Sequence, residues 1–173
     1  ESAPTPTSFV LKFTNLSFQQ PFGSFFVMTH NEMADPLFTL GQPSKPELGD
    51  LAENADPTSL LALYNGATGT GHVGSFSYIA NQSAEMEIPY DPLYTYVTVA
   101  SMAINTNDCF VALNGQYIDD GLVITGPAYD SGTEENNELC SSIPGPSCPA
   151  ASGNVAPGNG EGFVHLHRVI FGV

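Results

Sequence analysis

Apolar and polar residues alternate along several short segments of this chain, which is the pattern of half-buried β-strands. In the first segment Phe9, Leu11 and Phe13 alternate with other residues, so one face of the strand is apolar. The segment 24–30 predicts a second strand. Residues 94–104 are apolar or small on both faces, which predicts a central strand buried on both sides.

Three further strands are predicted in the second half of the chain. Residues 109–113 predict one that ends at Asn114-Gly115, a dipeptide typical of tight hairpin turns. Residues 122–125 predict a short strand, and residues 163–171 predict the last one. The strands are separated by turn residues at short intervals, as in antiparallel sandwiches.

Helical patterns are confined to the middle of the chain. Residues 46–53 begin with proline and glutamate, which are favoured in the first turn of a helix. A second short helix is predicted over 59–64, with Asp56 as its N-cap. The 17 glycines and 14 prolines favour short elements over long helices. The predicted fold is an all-β antiparallel sandwich of about eight strands, with one or two short helices in a connection.

A chain of 173 residues has the length of a single domain. We expect one sandwich domain over 8–173, preceded by an extended arm over 1–7. The arm is rich in proline and threonine and begins with Glu1, which is typical of a mature N-terminus left by signal cleavage. An artificial chain end is the alternative interpretation.

The charge balance excludes several classes of partner. The chain has 18 acidic and 3 basic side chains and a net charge of −15. Nucleic acid and anionic lipid surfaces both require clustered basic residues, so neither is an expected partner. No run of 18 apolar residues occurs, so membrane insertion is not expected.

The carboxylates are unevenly distributed, and their clustering suggests a divalent cation. Asp108 is followed within about thirty residues by a group of further acids. These are Asp119, Asp120, Asp130, Glu134, Glu135 and Glu138. Ca²⁺ takes six to eight oxygen ligands, and Gly132 lets the backbone turn so that the acids on both sides of it can face one centre. A solvated acidic loop is the alternative.

Cysteine and asparagine patterns favour an extracellular, secreted protein. Cys140 and Cys148 bracket a short loop and are the expected disulfide pair. Cys109 is then either a buried small apolar residue or a thiol that pairs between chains. Asn15 and Asn81 begin N-glycosylation acceptor patterns.

The histidines suggest a second candidate metal site. His165 and His167 point to the same strand face and could bind copper or zinc together with His30; hydrogen-bonded sandwich residues are the alternative. His72 lies in a glycine-rich run and is predicted to be a loop residue.

Because the chain has no Gly-x-Ser-x-Gly motif and no tryptophan for sugar stacking, we do not expect an enzyme.

Six motifs of this chain occur in the order known from one extracellular family. They are FTNLS (13–17), TH with PLFTLGQP (29–30 and 36–43), LGDLAEN (48–54), NDCF (107–110), YDSGTE (129–134) and RVI (168–170). In these motifs the chain resembles the spondin domain, the N-terminal domain of F-spondin and mindin. The resemblance covers about residues 8–171.

The resemblance implies a C2-like β-sandwich with a calcium site at one end. The matching positions assign Asp108, Asp130 and Glu134 as its ligands. Cys109 replaces the usual aromatic residue, and Glu134 stands where the animal proteins have aspartate. The implied function is a secreted calcium-binding module that adheres to a cell-surface or matrix partner. The alternative is a self-assembling subunit of an extracellular filament or coat, with calcium purely structural and the arm 1–7 reaching a neighbour.

Overall fold

The computed structural model describes residues 7–77, 83–137, 139–148 and 160–167. Within these ranges the chain forms eight strands in two antiparallel sheets, together with two short helices. The elements are β1 Ser8–Phe13, β2 Phe25–His30, α1 Pro46–Asn54, α2 Thr58–Tyr64, β3 Thr70–Phe76, β4 Ala84–Pro89, β5 Tyr96–Met102, β6 Cys109–Tyr117, β7 Ala128–Asp130 and β8 His165–Leu166. The predicted all-β sandwich with a few short helices is confirmed.

The larger sheet has six strands in the order β3-β2-β5-β6-β7-β8, and β1 pairs with β4 in a separate two-stranded sheet. Strands β2 and β5 lie inside the large sheet and are buried along nearly their whole length. The prediction of a central strand buried on both sides is therefore confirmed for β5.

The large sheet has an apolar core on each face. On one face Phe25, Val27 and Val99 pack with Ile88 of β4 and with the alternating apolar residues of β1, which confirms the predicted apolar face of β1. On the opposite face lie other residues of the same strands, with α1 and α2 above them. The strands contribute Phe26, Met28, Ala100 and Phe110 to this second core, and the helices contribute Leu48, Leu51 and Leu60. Each large apolar side chain buried here contributes about 1.5–3 kcal/mol.

Both predicted helices are present and cover one face of the sheet. Helix α1 has Pro46 in its first turn and is capped after Asn54 by Ala55, which adopts a left-handed conformation (φ 55°) and donates its N–H to the carbonyl of Leu51. Helix α2 begins one residue earlier than predicted. Pro57 rather than Asp56 is its N-cap residue, although the Asp56 carboxylate accepts a 2.9 Å hydrogen bond from the N–H of Thr58.

The predicted turn at Asn114-Gly115 is wrong, because both residues lie inside β6. The register of β6 against β5 shifts there, between Val97 and Val99, so the dipeptide forms a β-bulge. Gly115 has a φ of +77°, and a bulge accommodates this conformation as readily as a turn does. The Asn114 amide donates a 2.8 Å hydrogen bond to the carbonyl of Phe38, which anchors the 37–38 segment over the sheet.

Other predicted elements also need correction. Residues 122–125 form no strand, and Val123 is 90% exposed, so their apolar character does not reflect burial. The glycine-rich run around His72 is strand β3 and not a loop, because β2 supplies its hydrogen-bond partners. Strand β4 was not predicted. Of the predicted final strand 163–171, His165–Leu166 are in β8, and residues 168–171 lie outside the described residues.

The cysteine prediction is confirmed, because Cys140 and Cys148 form a disulfide. Cys109 is a buried free cysteine at the start of β6, as the first of its two interpretations required. Burial, together with the charges of Asp130 and Asp108, raises the pKa of its thiol to about 12.

Residues 1–6 of the predicted arm and the Asn81 acceptor lie outside the described residues. Thr7 extends the β1–β4 ladder, since its carbonyl accepts the N–H of Tyr90.

Candidate metal site

Three chemically important residues meet where β6, β7 and β8 lie side by side. Asp108 immediately precedes β6, Asp130 ends β7 and His165 begins β8. Asp130 is paired with Cys109 on one side and with His165 on the other. The strand ends therefore bring together two of the predicted calcium ligands and one histidine.

The Asp108 carboxylate organises the loop that follows β7. Its Oδ2 accepts hydrogen bonds from the Ser131 hydroxyl at 2.9 Å, from the Thr133 N–H at 2.9 Å and from the Glu134 N–H at 3.2 Å. Hydrogen bonds to an ionised acceptor are roughly twice as strong as neutral ones. The loop 131–134 is thus wrapped around this one oxygen.

The other oxygen of Asp108, Oδ1, is buried and has no hydrogen-bond partner among the described residues. Burial raises the pKa of the carboxyl, the nearby Asp130 charge raises it further, and the hydrogen bonds from the 131–134 loop oppose both effects. The described lysines neutralise other acids, since Lys12 pairs with Glu85 and Lys45 with Asp35. The surroundings of Asp108 therefore favour an added positive charge.

The Asp130 carboxylate is also buried, and both of its oxygens accept hydrogen bonds. Oδ1 accepts the Gly132 N–H at 2.8 Å, and Oδ2 accepts the side-chain amide of Asn136 at 2.8 Å. The same Asn136 amide donates to Glu161 Oε1 at 3.1 Å. Asn136 therefore fixes the positions of Asp130 and Glu161 relative to one another.

Close backbone packing at Gly132 brings the 160–163 segment to the site. Gly132 has a φ of +69°, and a Cβ there would lie 2.7 Å from the backbone nitrogen of Phe163. The N–H of Gly162 donates a 2.9 Å hydrogen bond to the Gly132 carbonyl. The predicted role of Gly132 in turning the backbone is thus accompanied by a second one, which is to let another segment approach.

The three predicted ligands border the same loop, but they are not the group whose ligand atoms converge in the described structure. Asp108, Asp130 and Glu134 are only 1%, 2% and 1% exposed. Among the described residues, the group with ligand atoms all within 4.8 Å of one another is Asp130, Glu161 and His165. This arrangement can hold a metal ion, and it shares only Asp130 with the predicted triad.

Three residues near the site were not predicted, namely Glu53, Asn136 and Glu161. Burial raises the pKa of the Glu53 carboxyl on α1, a hydrogen bond from the Thr133 side chain lowers it, and the charge of Asp108 raises it. The Glu53 carboxyl is therefore close enough to Asp108 for the two charges to interact. Local sequence gives little sign of Glu161, because its approach depends on the contact of its segment with Gly132.

Other predicted site residues lie at the far end of the sheet. Asp119 and Asp120 follow β6, whose nine residues extend for roughly 30 Å from the Asp108 end. His30 is paired with Tyr96, which is opposite Tyr117 at that same far end, and it bonds to the Thr98 hydroxyl at 2.9 Å. The suggested site combining His30 with His165 is therefore wrong. Glu138 lies outside the described residues.

A scan against models of known protein families finds no match for this chain, and a comparison with curated proteins finds none either. In the described part of the chain, neither helix is long and apolar enough to span a bilayer.

Proposed function

We propose that this chain is an extracellular calcium-binding module with its ion held at the Asp108 end of the sandwich. Asp108, Asp130 and Glu134 would supply the carboxylate ligands. Ca²⁺ is a hard cation that prefers such oxygen ligands, with backbone carbonyls and water completing its coordination shell. The proposal rests on the six-motif resemblance to spondin domains and on the burial of all three carboxylates.

One observation carries the proposal, and it concerns the Oδ1 atom of Asp108. A buried carboxylate oxygen without a hydrogen-bond donor is costly, and a bound cation removes that cost. An ion that binds only the folded chain also raises the free energy of unfolding by mass action. Calcium would thereby order the 131–134 loop that the other Asp108 oxygen already holds.

The expected role is adhesion to an extracellular protein or matrix partner. The Cys140–Cys148 disulfide supports an oxidising compartment, because disulfides persist in extracellular proteins and are rare in the cytosol. An ion at the end of the sheet would order the surface loops there, which could then present a constant shape to a partner. We expect no catalytic activity from this site.

A self-assembling subunit remains the second candidate, and one observation favours it. Leu122, Val123 and Ile124 are consecutive apolar residues that are all exposed, and such a patch often marks an interface. A V123E variant that keeps the fold but lowers the mass in size-exclusion chromatography would support self-assembly. A chain that is monomeric with and without chelator would contradict it.

Metal analysis and thermal unfolding test the calcium proposal. We expect one Ca²⁺ per chain, and saturating calcium at 100 times Kd should raise the free energy of unfolding by about 2.7 kcal/mol over the chelated protein. D108N should lose most of this increase. D119N is the matched control, because Asp119 lies at the opposite end of β6. A melting temperature that chelator does not change, together with no calcium in the metal analysis, would overturn the proposal.

A further inference from the structure

We infer that Asp130, Glu161 and His165 form a second binding site, which adjoins the proposed calcium site and shares Asp130 with it, for a divalent transition-metal ion of the zinc type. The inference goes beyond the calcium proposal, since it uses Glu161 and His165, which that proposal does not. Asp130 ends β7, His165 begins β8, and Glu161 lies four residues before His165.

The hydrogen bonding of His165 leaves a lone pair directed at two carboxylates. Nδ1 lies 3.0 Å from the carbonyl oxygen of Leu166, and a carbonyl can only accept, so Nδ1 carries the hydrogen. In the neutral ring Nε2 is then an acceptor. Nε2 is buried, has no hydrogen-bond partner within the described part of the chain and lies near oxygens of Asp130 and Glu161, which are also acceptors. A metal ion between them would satisfy all three lone pairs at once.

The distances are those of ligands around a small metal ion. Nε2 lies 3.5 Å from Asp130 Oδ1 and 3.8 Å from Glu161 Oε2, which is longer than the usual hydrogen bond. Zinc binds nitrogen and carboxylate oxygen at about 2.0–2.2 Å, so two tetrahedral ligands are separated by about 3.4 Å. Small adjustments of the Glu161 side chain, which is 38% exposed, would complete the geometry.

The surrounding hydrogen bonds hold both carboxylates ready for an ion. The Asn136 amide bonds to Oδ2 of Asp130 and to Oε1 of Glu161, leaving the opposite oxygen of each directed toward His165. The Nδ1–H bond to Leu166 orients the ring in the same way as the outer hydrogen bonds of known metal-ligating histidines. Such supporting contacts typically change metal affinity by about 10–100-fold when they are removed.

The imidazole ligand distinguishes this site from the calcium site. Ca²⁺ takes oxygen ligands, whereas imidazole nitrogen suits zinc, copper, iron and nickel. The exposed Glu161 gives the ion a route in from solvent, and the buried Asp130 gives it a fixed anchor. An imidazolium ring paired with the two acids is the competing explanation for the same geometry.

Zinc titration of the chelator-treated, dialysed protein in excess Ca²⁺ tests the inference. Isothermal titration calorimetry should show one Zn²⁺ per chain. H165Q and E161Q should each weaken zinc binding at least about 10-fold, and N136A should weaken it by a similar factor through loss of its supporting contacts. H167Q is the matched control, since His167 lies two residues along and outside the converging group.

Cobalt provides a second measurement that does not depend on affinity alone. Co²⁺ bound to imidazole and carboxylate should give visible absorption bands that are reduced in E161Q at the same cobalt concentration, and the exposed position of Glu161 should leave the fold intact. Absence of zinc binding, or equal binding by the wild type, H165Q and E161Q, would overturn the inference and favour the imidazolium pair. The calcium test on D108N is separate, so either proposal can fail alone.

Discussion

The Asp108 carboxylate and the Thr133 backbone N–H, 25 residues apart in sequence, are joined by a 2.9 Å hydrogen bond. This bond ties the entry of β6 to the loop after β7, and the Ser131 hydroxyl reinforces it at the same oxygen. Removing one donor therefore loosens the loop that carries the candidate ligands.

Replacement of Ser131 by alanine tests that contact directly. S131A removes the hydrogen bond to the Asp108 carboxylate and also the 2.6 Å hydrogen bond with the Thr133 hydroxyl, and we expect it to lower the free energy of unfolding by about 1.5–3 kcal/mol. Urea unfolding measures the change. S75A is the control, because Ser75 is exposed on β3 and should be nearly neutral. Equal stability of S131A and S75A would contradict the role given to Asp108.

Replacement of Gly132 by alanine should be more damaging than the same change at Gly121. Both glycines have positive φ, +69° and +71°, so both substitutions introduce backbone strain of about 1–3 kcal/mol. At Gly132 the new Cβ would also overlap the Phe163 backbone, while at Gly121 no atom of the described residues lies within 4 Å of it. We expect G132A to unfold at clearly lower urea concentration than G121A. The reverse order would argue against the close approach of the 160–163 segment.

Removal of the disulfide should lower stability by a moderate amount. Cys140 and Cys148 are eight residues apart, and closing a loop of that size contributes about 2.5 kcal/mol by restricting the unfolded chain. The C140S/C148S double variant should therefore melt several degrees lower than the wild type. A reducing agent should reproduce this loss in the wild type and leave the double variant unchanged.

The Cys109 thiol should be inert in the folded protein. It is buried, and the pKa of about 12 leaves almost no thiolate at neutral pH. Ellman's reagent should therefore label no cysteine in the native state and one per chain after denaturation in urea, and C109A should lose that signal. Rapid native labelling would show that the start of β6 opens.

His72 should make the protein less stable in mild acid. Burial lowers the pKa of its ring below the ordinary value, so the unfolded state takes up the proton first as the pH falls. Stability due to the neutral ring is complete above about pH 6.5 and declines below it toward the folded-state pKa. Urea unfolding at about pH 7.5 and 5.5 should show a smaller loss in H72Q than in the wild type. An identical loss would contradict this assignment.

Local pattern predicted most of the elements correctly but failed where the same residues suit two structures. The alternation of Phe9, Leu11 and Phe13 identified β1, because a period of two fits only an extended chain with one buried face. Gly115 was assigned to a turn and lies in a bulge, since both structures accept its positive φ. The apolar residues 122–124 predicted a strand that would need a neighbour to pair with, and the described structure supplies none there.

The sequence alone determined the class of the fold and the disulfide, and it singled out Asp108, Asp130 and Glu134 as candidate ligands; that all three are buried is a finding of the structure. Those features depend on periodicity, short spacing and motif order, which can all be identified in the sequence without knowing the tertiary structure. Only the tertiary structure decided that Glu161 and His165 meet Asp130, while His30 and Asp119 lie at the other end of the sheet. The pairing of β7 with β8 depends on the packing of distant segments at Gly132, and no local pattern encodes that choice of partner.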